Sequence, residues 1–370
     1  MKVLEMFGEP VSHGGQESFV FNVLQHMDLE DLQIDVLTPY YCDNEHYRGI
    51  IENRGGKLVE LGLPFEPGKS RKNICEPIKS HLEKTSYDIA HIHSGSITAL
   101  AYCAREASKA GIKRVIVHSH SSGVNDNWKH KLIKAYAAPL YKKYATDYCA
   151  CSVEAAAWKF PSGVMSKVKI LNNGVDAEFF SYDPRTGKEL KDKYGINEKT
   201  LVLGHVGRFT YEKNQAFLLD VLKAYLEDHP QSELMLVLIG EGPDKPGVEE
   251  KANNLGLKQS VLFPAEYDKV RDYMQMFDVF LFPSLFEGLG IVGIEAQAAG
   301  VPVVASTGVP KAMQLAENVK FVSLEDMDAW CKAIDSFREI QRQDQREQIR
   351  DRGFDIRDTA KEVEKLYRQM

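Results

Sequence analysis

The sequence contains no apolar run of 18 or more residues, so it predicts no helix long enough to cross a membrane. The apolar stretch of its N-terminus, MKVLEMFGEP, is too short for a signal peptide and is typical of a first strand. None of the six cysteines forms a CxxC pair. This argues against a zinc site or a disulfide framework and favours buried thiols in a reducing cytoplasm. No internal repeat or low-complexity tract is evident.

The charge balance makes nucleic acid an unexpected partner. The chain carries 46 Lys and Arg against 53 Asp and Glu, a formal net charge of −7, whereas nucleic-acid binding favours a basic surface. Its 370 residues, 44% of them hydrophobic, have ordinary globular composition and are enough for two domains.

The first half of the chain alternates short apolar runs with amphipathic segments. Six of the runs are predicted as strands: KVLEMF (2–7), QIDVLTP (33–39), KLVEL (57–61), DIAHIHS (88–94), RVIVHSH (114–120) and DYCACS (147–152). Helical patterns such as ESFVFNVLQHM (17–27) and ITALAYCAREASKAG (97–111) lie between them. Such alternation predicts a parallel sheet with helices on both faces.

A second alternation follows a break rich in turn residues and charge, ILNNGVDAEFFSYDPRTGKELKDKYG (170–195). Its predicted strands are TLVLGHVGRF (200–209), ELMLVLIGEG (233–242), SVLFPA (260–265), VFLFPS (279–284) and VPVVAS (301–306). The fold class is therefore α/β, with two Rossmann-like, doubly wound domains expected to face each other across a cleft. We place them at 1–178 and 195–350, joined by a linker at 179–194, with a C-terminal helix at about 354–370 packing back on the first domain.

Ligands of open α/β sheets bind beyond the carboxyl ends of the strands, so the residues that follow each strand are the candidates. Gly14 and Gly15 follow the first strand and precede a helix that starts near Glu17. Adjacent glycines let backbone amides approach an anion, and a helix N-terminus adds partial positive charge. The loop lacks the GxGxxG pattern that a dinucleotide dehydrogenase would have there. A flexible connection is the alternative interpretation.

Histidines end two neighbouring predicted strands. His118 and His120 are two residues apart, and so are His91 and His93, so each pair points to one side of its strand. Four histidines could suggest a metal, but no nearby carboxylate completes a known ligand spacing. Contact of at least one of them with substrate is the preferred interpretation.

Two cations follow the strand TLVLGHV. Arg208 and Lys213 stand just before a helix that begins around Asn214, where positive charge opposes the helix dipole. They are explained if an anion binds between them, since Arg can fork onto phosphate oxygens and Lys offers a point charge. A solvated loop with incidental charge is the alternative.

Two glutamates bracket the glycine-rich segment EGLGIVGIE (287–295) that follows VFLFPS. Glu287 is predicted in the loop and Glu295 in the helix after it. A carboxylate accepts hydrogen bonds from sugar diols, and loop amides can hold phosphate or hydroxyl oxygens. Two carboxylates could therefore hold two sugars, one on each side of a phosphate group.

With these motifs in place, the sequence resembles the retaining glycosyltransferases of family 4, which have the GT-B fold. The resemblance covers nearly the whole chain and rests on GGQE (14–17), NNGVD (172–176), GRFTYEKN (207–214) and PSLFEGLGIVGIEAQAAGVPVV (283–304). The most similar subgroup is the bacterial exopolysaccharide and capsule transferases. The resemblance implies transfer of a sugar from a nucleoside-diphosphate sugar, with uridine preferred to guanosine, to a glycan or lipid-linked acceptor.

The resemblance also implies roles for the residues around the diphosphate. Gly14 and Gly15 would approach the donor's pyrophosphate, and Arg208 and Lys213 would neutralise the diphosphate as it leaves.

For the sugars, the resemblance implies that Glu287 and the backbone of Gly288, Leu289 and Gly290 hold hydroxyls of the transferred sugar. Glu295 would take the ribose hydroxyls. Leu289 stands where the family usually has phenylalanine, which leaves the sugar's identity open.

His120 matches the family histidine near the reacting sugar, with His118 as the alternative if the register slips by one strand step. His93 and Asn173 are further candidates for contact with acceptor or sugar.

The mechanism implied by the family is front-face attack, in which the leaving phosphate takes the acceptor's proton. Double displacement would instead need a carboxylate nucleophile at the anomeric carbon. On the front-face view Glu287 is a positioning residue. No metal and no other cofactor is expected, because the cations are built in and no DxD-type cluster accompanies the site motifs.

A basic amphipathic segment, NWKHKLIKAYAAPLYKKYA (127–145), predicts a helix that could dock on an anionic membrane surface where a lipid-linked acceptor would lie. The alternative is a solvated helix packed on its own domain. The expected location is the cytoplasm, at the inner face of the membrane if the helix docks.

Three other functions compete with glycosyl transfer. A nucleotide-sugar epimerase of the same architecture fits the cleft but not the motifs as well. A non-catalytic, nucleotide-binding partner subunit is disfavoured because Arg208, Lys213, Glu287 and Glu295 are all intact. A nicotinamide dehydrogenase is the weakest candidate, since the first loop lacks its fingerprint.

Overall fold

A computed structural model describes residues 1–12, 14–120, 128–266 and 269–369. The chain divides into two compact units, and the first of them is discontinuous. Unit 1 comprises Met1–Gly174 and Ile356–Met370, and unit 2 comprises Val175–Asp355.

Unit 1 is built on a seven-stranded parallel sheet with the order β3-β2-β1-β4-β5-β6-β7. Its strands are β1 (Lys2–Phe7), β2 (Gln33–Thr38), β3 (Leu58–Glu60), β4 (Ile89–His93), β5 (Arg114–Ser119), β6 (Asp147–Ala150) and β7 (Val168–Ile170). Its helices are α1 (Gly15–His26), α2 (Glu45–Asn53), α3 (Cys75–Leu82), α4 (Ile97–Lys109), α5 (Trp128–Tyr144), α6 (Val153–Lys159) and, from the end of the chain, α14 (Ile356–Arg368).

Unit 2 repeats this design with six parallel strands in the order β10-β9-β8-β11-β12-β13. Its strands are β8 (Leu201–Val206), β9 (Leu234–Ile239), β10 (Val261–Leu262), β11 (Val279–Phe282), β12 (Val303–Ser306) and β13 (Val319–Val322). Its helices are α7 (Pro184–Lys193), α8 (Gln215–Asp228), α9 (Lys245–Asn254), α10 (Val270–Met276), α11 (Ile291–Ala298), α12 (Met327–Phe337) and α13 (Arg346–Asp351).

The predicted fold class of two Rossmann-like α/β units is confirmed. All eleven predicted strands are present, each within a few residues of its expected bounds. The prediction missed β7 and β13, which read VKI and VKFV and lie at the edges of the two sheets. Both are short and interrupted by lysine, which is common at edges and weakens the apolar signal.

The segment expected as a linker, residues 179–194, lies within unit 2, and most of it is α7. Leu190 is buried, and Gly187 packs so closely on α10 that an added Cβ would lie 2.5 Å from the carbonyl oxygen of Gln275. The side chain of Gln275 also accepts a hydrogen bond from the amide of Asp183 at 2.8 Å. The charged sequence of α7 therefore covers unit 2 rather than spanning between domains.

Helix α14 packs on α1 in unit 1, and its apolar face joins the core beneath the sheet. Ile356, Ala360, Val363, Leu366 and Tyr367 are all buried there.

All six cysteines of the chain are free thiols. Among the described residues, no helix combines the length and the apolarity that crossing a membrane requires.

Candidate functional site

In unit 2 the sheet order brings the ends of β8 and β11 side by side. After β8 the chain passes Arg208, forms a short 3-10 turn over Tyr211–Lys213 and enters α8 at Gln215. The side chain of Gln215 is buried and donates to the carbonyl oxygens of Gly207 and Arg208, at 3.3 and 2.9 Å. These two hydrogen bonds from a buried side chain fix the backbone of the loop that carries Arg208 and Lys213.

Lys213 and Glu287 form an ion pair between the two loops. The Lys213 Nζ lies 2.5 Å from Glu287 Oε1, and Ser284 Oγ donates to the same oxygen at 2.7 Å. The Glu287 side chain is 11% exposed and the Lys213 side chain 22%. The structure thus brings together two of the predicted catalytic residues and fixes the carboxylate in place.

Arg208 differs from Lys213 in having no carboxylate partner among the described residues. Its side chain is exposed, and within the described part of the chain its guanidinium makes no hydrogen bond or ion pair. An exposed arginine that forms no ion pair with the described residues is available to bind an anionic ligand.

The glycine-rich segment 287–295 turns sharply into α11. Gly290 adopts a left-handed conformation (φ 85°), and a Cβ there would also lie 2.8 Å from the Phe282 ring. Leu289 is buried in the core of unit 2, so it can meet a ligand only through its backbone. Within the described residues no side chain caps the start of α11, which leaves its first amides to a ligand or water. Residues 288–293 also match GxGxxG, although the loop after the first strand does not.

Glu295 lies in α11, where burial raises the pKa of its carboxyl to about 7. Burial destabilises the charged form of this carboxyl, and hydrogen bonds from the hydroxyls of a ligand would stabilise that form. Its position on the helix that starts from the glycine-rich loop suits the ribose role implied by the family.

In unit 1, Gly14 caps α1 and Gly15 is its first residue. A Cβ on Gly14 would lie 2.3 Å from Glu17 Oε2, whereas one on Gly15 would meet nothing within 4 Å. Glu17 is buried, and burial raises the pKa of its carboxyl to about 7. A carboxyl therefore already lies at the helix end where the sequence predicts a pyrophosphate.

The histidines at the ends of β4 and β5 do meet, as neighbouring strands require. His93 Nδ1 lies 2.8 Å from His120 Nε2, and His91 Nε2 lies 3.1 Å from His118 Nδ1. Burial lowers the pKa of His91 and of His93 to about 3, and that of His118 and His120 well below the usual range. All four rings are therefore neutral at physiological pH.

Asn173, the last candidate of unit 1, follows β7. It is buried, and its Oδ1 has no hydrogen-bond partner among the described residues. A buried acceptor without a partner is unusual and is explained if a ligand or water supplies the donor.

Sequence reasoning missed two charged residues beside the histidines. Glu9 accepts hydrogen bonds from Ser94 Oγ (2.8 Å) and from the amides of Gly95 and Ser96 (both 3.1 Å). Lys159 is fully buried, donates to the carbonyl oxygen of Ser94, and has a pKa lowered by burial to about 8. Glu9 stands two residues after β1, where the rule for strand ends could have found it; nothing local marks Lys159.

A metal could use one group of these side chains. Ring nitrogens of His91, His93 and His118 lie within 4.8 Å of one another. Their hydrogen bonds already engage both nitrogens of His91 and of His93, so a metal would have to displace them. In the DxD-like pair Asp326 and Asp328, Asp326 has another use, because it caps α12 by accepting from the amide of Ala329 at 2.9 Å.

Comparison with known proteins assigns this arrangement to the glycosyltransferases of GT-B fold. The family model for glycosyltransferase family 4 matches residues 13–179, and that for group 1 glycosyl transferases matches residues 187–355. The chain is 33% identical over 332 residues to EpsF of Bacillus subtilis, which is named a glycosyltransferase, covering 88% of this chain and 84% of EpsF. The chain therefore belongs to this glycosyltransferase family and is an enzyme of that class.

One further relative and one solved structure name different nucleotides. A GDP-mannose-dependent phosphatidylinositol monomannoside mannosyltransferase of Mycolicibacterium smegmatis is 28% identical over 344 residues, covering 88% of this chain and 86% of that protein. The crystal structure of Anabaena HepE with UDP-glucose superimposes with a TM-score of 0.79 at 18% identity and full coverage of both chains. At that identity the superposition shows the shared fold.

Proposed function

We propose that this glycosyltransferase moves a hexose from a nucleoside-diphosphate sugar, UDP-sugar in preference, to a glycan or lipid-linked acceptor with retention at the anomeric carbon. Its setting would be the synthesis of exopolysaccharide, capsule or another cell-surface glycan. The observation that carries the proposal is the Lys213–Glu287 ion pair at the ends of β8 and β11, with the exposed Arg208, which has no partner among the described residues, in the loop after β8.

The donor would bind to unit 2 through its charges. Breaking the glycosidic bond builds negative charge on the diphosphate, and cations held in place stabilise that charge without reorganisation. Arg208 would fork onto phosphate oxygens, Lys213 would supply a point charge and the first amides of α11 would add hydrogen bonds. Glu287 would accept hydroxyls of the transferred sugar, and Glu295 those of the ribose.

Retention by front-face attack is supported by the surroundings of Glu287. Double displacement needs a carboxylate nucleophile, and Glu287 suits that role poorly because hydrogen bonds from Lys213 and Ser284 to its Oε1 lower its nucleophilicity. Metal independence is part of the same proposal, since protein cations would take the metal's place. Activity retained after dialysis against EDTA would agree with it.

Calorimetric titration with UDP, GDP and NAD tests the donor site, on the wild type and on Glu295→Ala. We expect UDP to bind most tightly and the substitution to weaken binding about 100-fold, because a carboxylate with two hydroxyl donors is lost. Preference for GDP would correct the base while keeping the site. Binding of NAD alone would favour the GxGxxG interpretation of residues 288–293, and binding of none would contradict the proposal.

Donor affinity should depend on pH through Glu295. Its raised pKa, about 7, means that the carboxyl is largely protonated below that pH and accepts hydroxyls poorly. Affinity for UDP-glucose, whose diphosphate does not titrate in this range, should therefore rise between pH 6 and 8. Glu295→Gln should flatten the dependence; an unchanged slope in that variant would assign the effect to another group.

Docking of α5 on a membrane is a further part of the proposal. Asn127, the first residue of the predicted basic segment, lies outside the described residues, and the helix itself begins at Trp128. Trp128, Leu132, Ile133 and Tyr136 are 67, 60, 44 and 53% exposed. Their spacing places them along one helical face beside several lysines, an arrangement that suits an anionic bilayer and the cytoplasmic side of the membrane.

Co-sedimentation with vesicles containing 30% anionic lipid checks this docking. Leu132→Glu with Ile133→Glu should reduce the bound fraction about tenfold or more, because two side chains no longer enter the interface. Ile340→Glu in unit 2, at an isoleucine 45% exposed, is the matched control. Equal sedimentation of all three proteins would contradict the docking.

A further inference from the structure

Six buried or partly buried side chains of unit 1 form one continuous chain of hydrogen bonds, which we call the Glu5 relay. From one end to the other its members are His120, His93, Glu5, Tyr367, His91 and His118. They come from β1, β4, β5, the residue after β5, and α14. Glu5 lies in the middle, so the relay has two arms.

The first arm runs from Glu5 to His120. Glu5 Oε2 lies 2.7 Å from His93 Nε2, and His93 Nδ1 lies 2.8 Å from His120 Nε2. When Glu5 is ionised it can only accept, so His93 donates from Nε2 and must accept at Nδ1. His120 then donates from Nε2, and its Nδ1 carries a lone pair.

The second arm runs through the C-terminal helix. The Tyr367 hydroxyl donates to Glu5 Oε1 and lies 2.6 Å from His91 Nδ1. Because the Tyr367 hydroxyl proton is donated to Glu5, the hydroxyl oxygen accepts from His91 Nδ1. His91 Nε2 therefore accepts a hydrogen bond from His118 Nδ1, at 3.1 Å. His118 Nε2 thus carries a second free lone pair. The hydrogen bonds of this arm keep the Tyr367 hydroxyl proton directed at Glu5.

Both ends of the relay are open. His120 Nδ1 and His118 Nε2 are buried atoms that have no hydrogen-bond partner among the described residues. Buried polar atoms are nearly always paired, so two open ends on one network call for an explanation. His118 is fully buried, whereas His120 is partly exposed. The His120 end therefore lies nearer to solvent, although its Nδ1 atom is itself buried.

We propose that the Glu5 relay accepts the proton of the acceptor hydroxyl through His120, with Glu5 as its final site. The proposal rests on the glycosyl transfer proposed above and adds a destination for the proton besides the leaving diphosphate. Glu5, His93 and Tyr367 act through His120 and are positioning residues.

The proton balance needs no ring to become charged. The acceptor O–H breaks as His120 Nδ1 takes the proton; His120 Nε2–H passes its proton to His93 Nδ1, and His93 Nε2–H passes its proton to Glu5 Oε2. The freed electron pair of the acceptor oxygen forms the new bond to the anomeric carbon, and the diphosphate leaves with the electrons of the old bond. Every hydrogen bond of the arm is kept with its direction reversed.

The electrostatic surroundings favour uptake of that proton. Burial raises the pKa of Glu5 above its usual value, against the opposing effects of His91 and of the hydrogen bond from Tyr367. Ionised Glu5 is thus the costly state and readily gains a proton. The other charged groups that face the relay are Arg114 and Asp147 towards His91 and Lys159 towards His118 and His120.

The test measures kcat for release of UDP at saturating UDP-glucose, with water as the acceptor, between pH 5 and 9, so that the pH-dependent donor affinity expected from Glu295 does not contribute. The wild type should lose activity towards acid, as Glu5 becomes protonated before the acceptor arrives. Glu5→Gln should lower kcat about tenfold, the small end of general-base effects because the diphosphate can also take the proton. It should also abolish the acidic limb and leave UDP affinity unchanged. Tyr367→Phe, which removes a donor to ionised Glu5, should move that limb to higher pH.

Controls separate a proton path from simple structural support. Tyr225→Phe in unit 2 removes a tyrosine that donates to a carboxylate, Asp335, at 2.5 Å and should leave the pH profile unchanged. Because Gln removes a buried charge, Glu5→Gln should melt no lower than the wild type at pH 8. A wild-type pH profile and kcat in Glu5→Gln would overturn the relay alone. A wild type that binds no nucleotide and releases no UDP would overturn the proposed function and the relay with it.

Discussion

Replacement of Lys213 by alanine should lower kcat by about 100-fold to 1000-fold at saturating donor, the range measured when one preorganised charge-stabilising donor is removed. The amine would stabilise the diphosphate as it leaves, so its effect belongs to the transition state more than to binding. The substitution has a second consequence, because Glu287 loses the cation 2.5 Å from its Oε1 and keeps only Ser284. We therefore expect the KM for donor to rise as well.

Steady-state kinetics with UDP-glucose and a melting curve check this expectation. Lys251→Ala is the matched control, since Lys251 also lies in unit 2 and forms an ion pair with Asp220 at 2.7 Å. Control and wild type should be equally active. Near-normal turnover of Lys213→Ala at saturating donor would show that the amine serves only to pair with Glu287.

Replacement of Arg208 by alanine should lower kcat by about 100-fold or more without weakening the fold. In contrast to Lys213, its guanidinium has no partner among the described residues, so its removal leaves no carboxylate unpaired. An exposed side chain without contacts contributes little to the free energy of unfolding. A large loss of activity with unchanged stability is therefore the result expected for a residue that binds the ligand and does not stabilise the fold.

Arg208→Lys distinguishes charge from geometry. If the guanidinium forks onto phosphate oxygens, lysine should recover only a small part of the lost turnover. Full recovery would indicate that a point charge is sufficient. Unchanged turnover in Arg208→Ala would mean that the diphosphate is neutralised elsewhere.

The sequence was informative wherever function depends on residues close together in the chain. Arg208 and Lys213 lie in one loop, and Glu287 and Glu295 lie in one loop and the helix after it, so spacing predicted where these side chains lie, while their chemical roles stay predictions. Alternating apolar runs also predicted both sheets, because buried parallel strands are nearly continuously hydrophobic. The strand order that puts β8 beside β11 follows from the general doubly wound topology and not from any single motif.

The Glu5 relay could not be predicted in this way. Glu5 lies inside an apolar strand, and Tyr367 is 362 positions away in a helix that is otherwise ordinarily amphipathic. Their contact depends on how α14 packs against unit 1, which the pattern of α14 does not specify. The histidine pairs showed where polar groups gather but not which of them would be bonded to one another.

The discontinuity of unit 1 has a consequence for the order of events during synthesis. All 181 residues of Val175–Asp355 must be synthesised before α14 is made, which takes about 10–40 s at typical elongation rates. Throughout that interval the apolar face that α14 covers stays bare, and the carboxylate of Glu5 lacks its tyrosine. The half of the enzyme that is translated first is thus the last to be finished, and a nascent chain cannot assemble its proton path before translation reaches Tyr367.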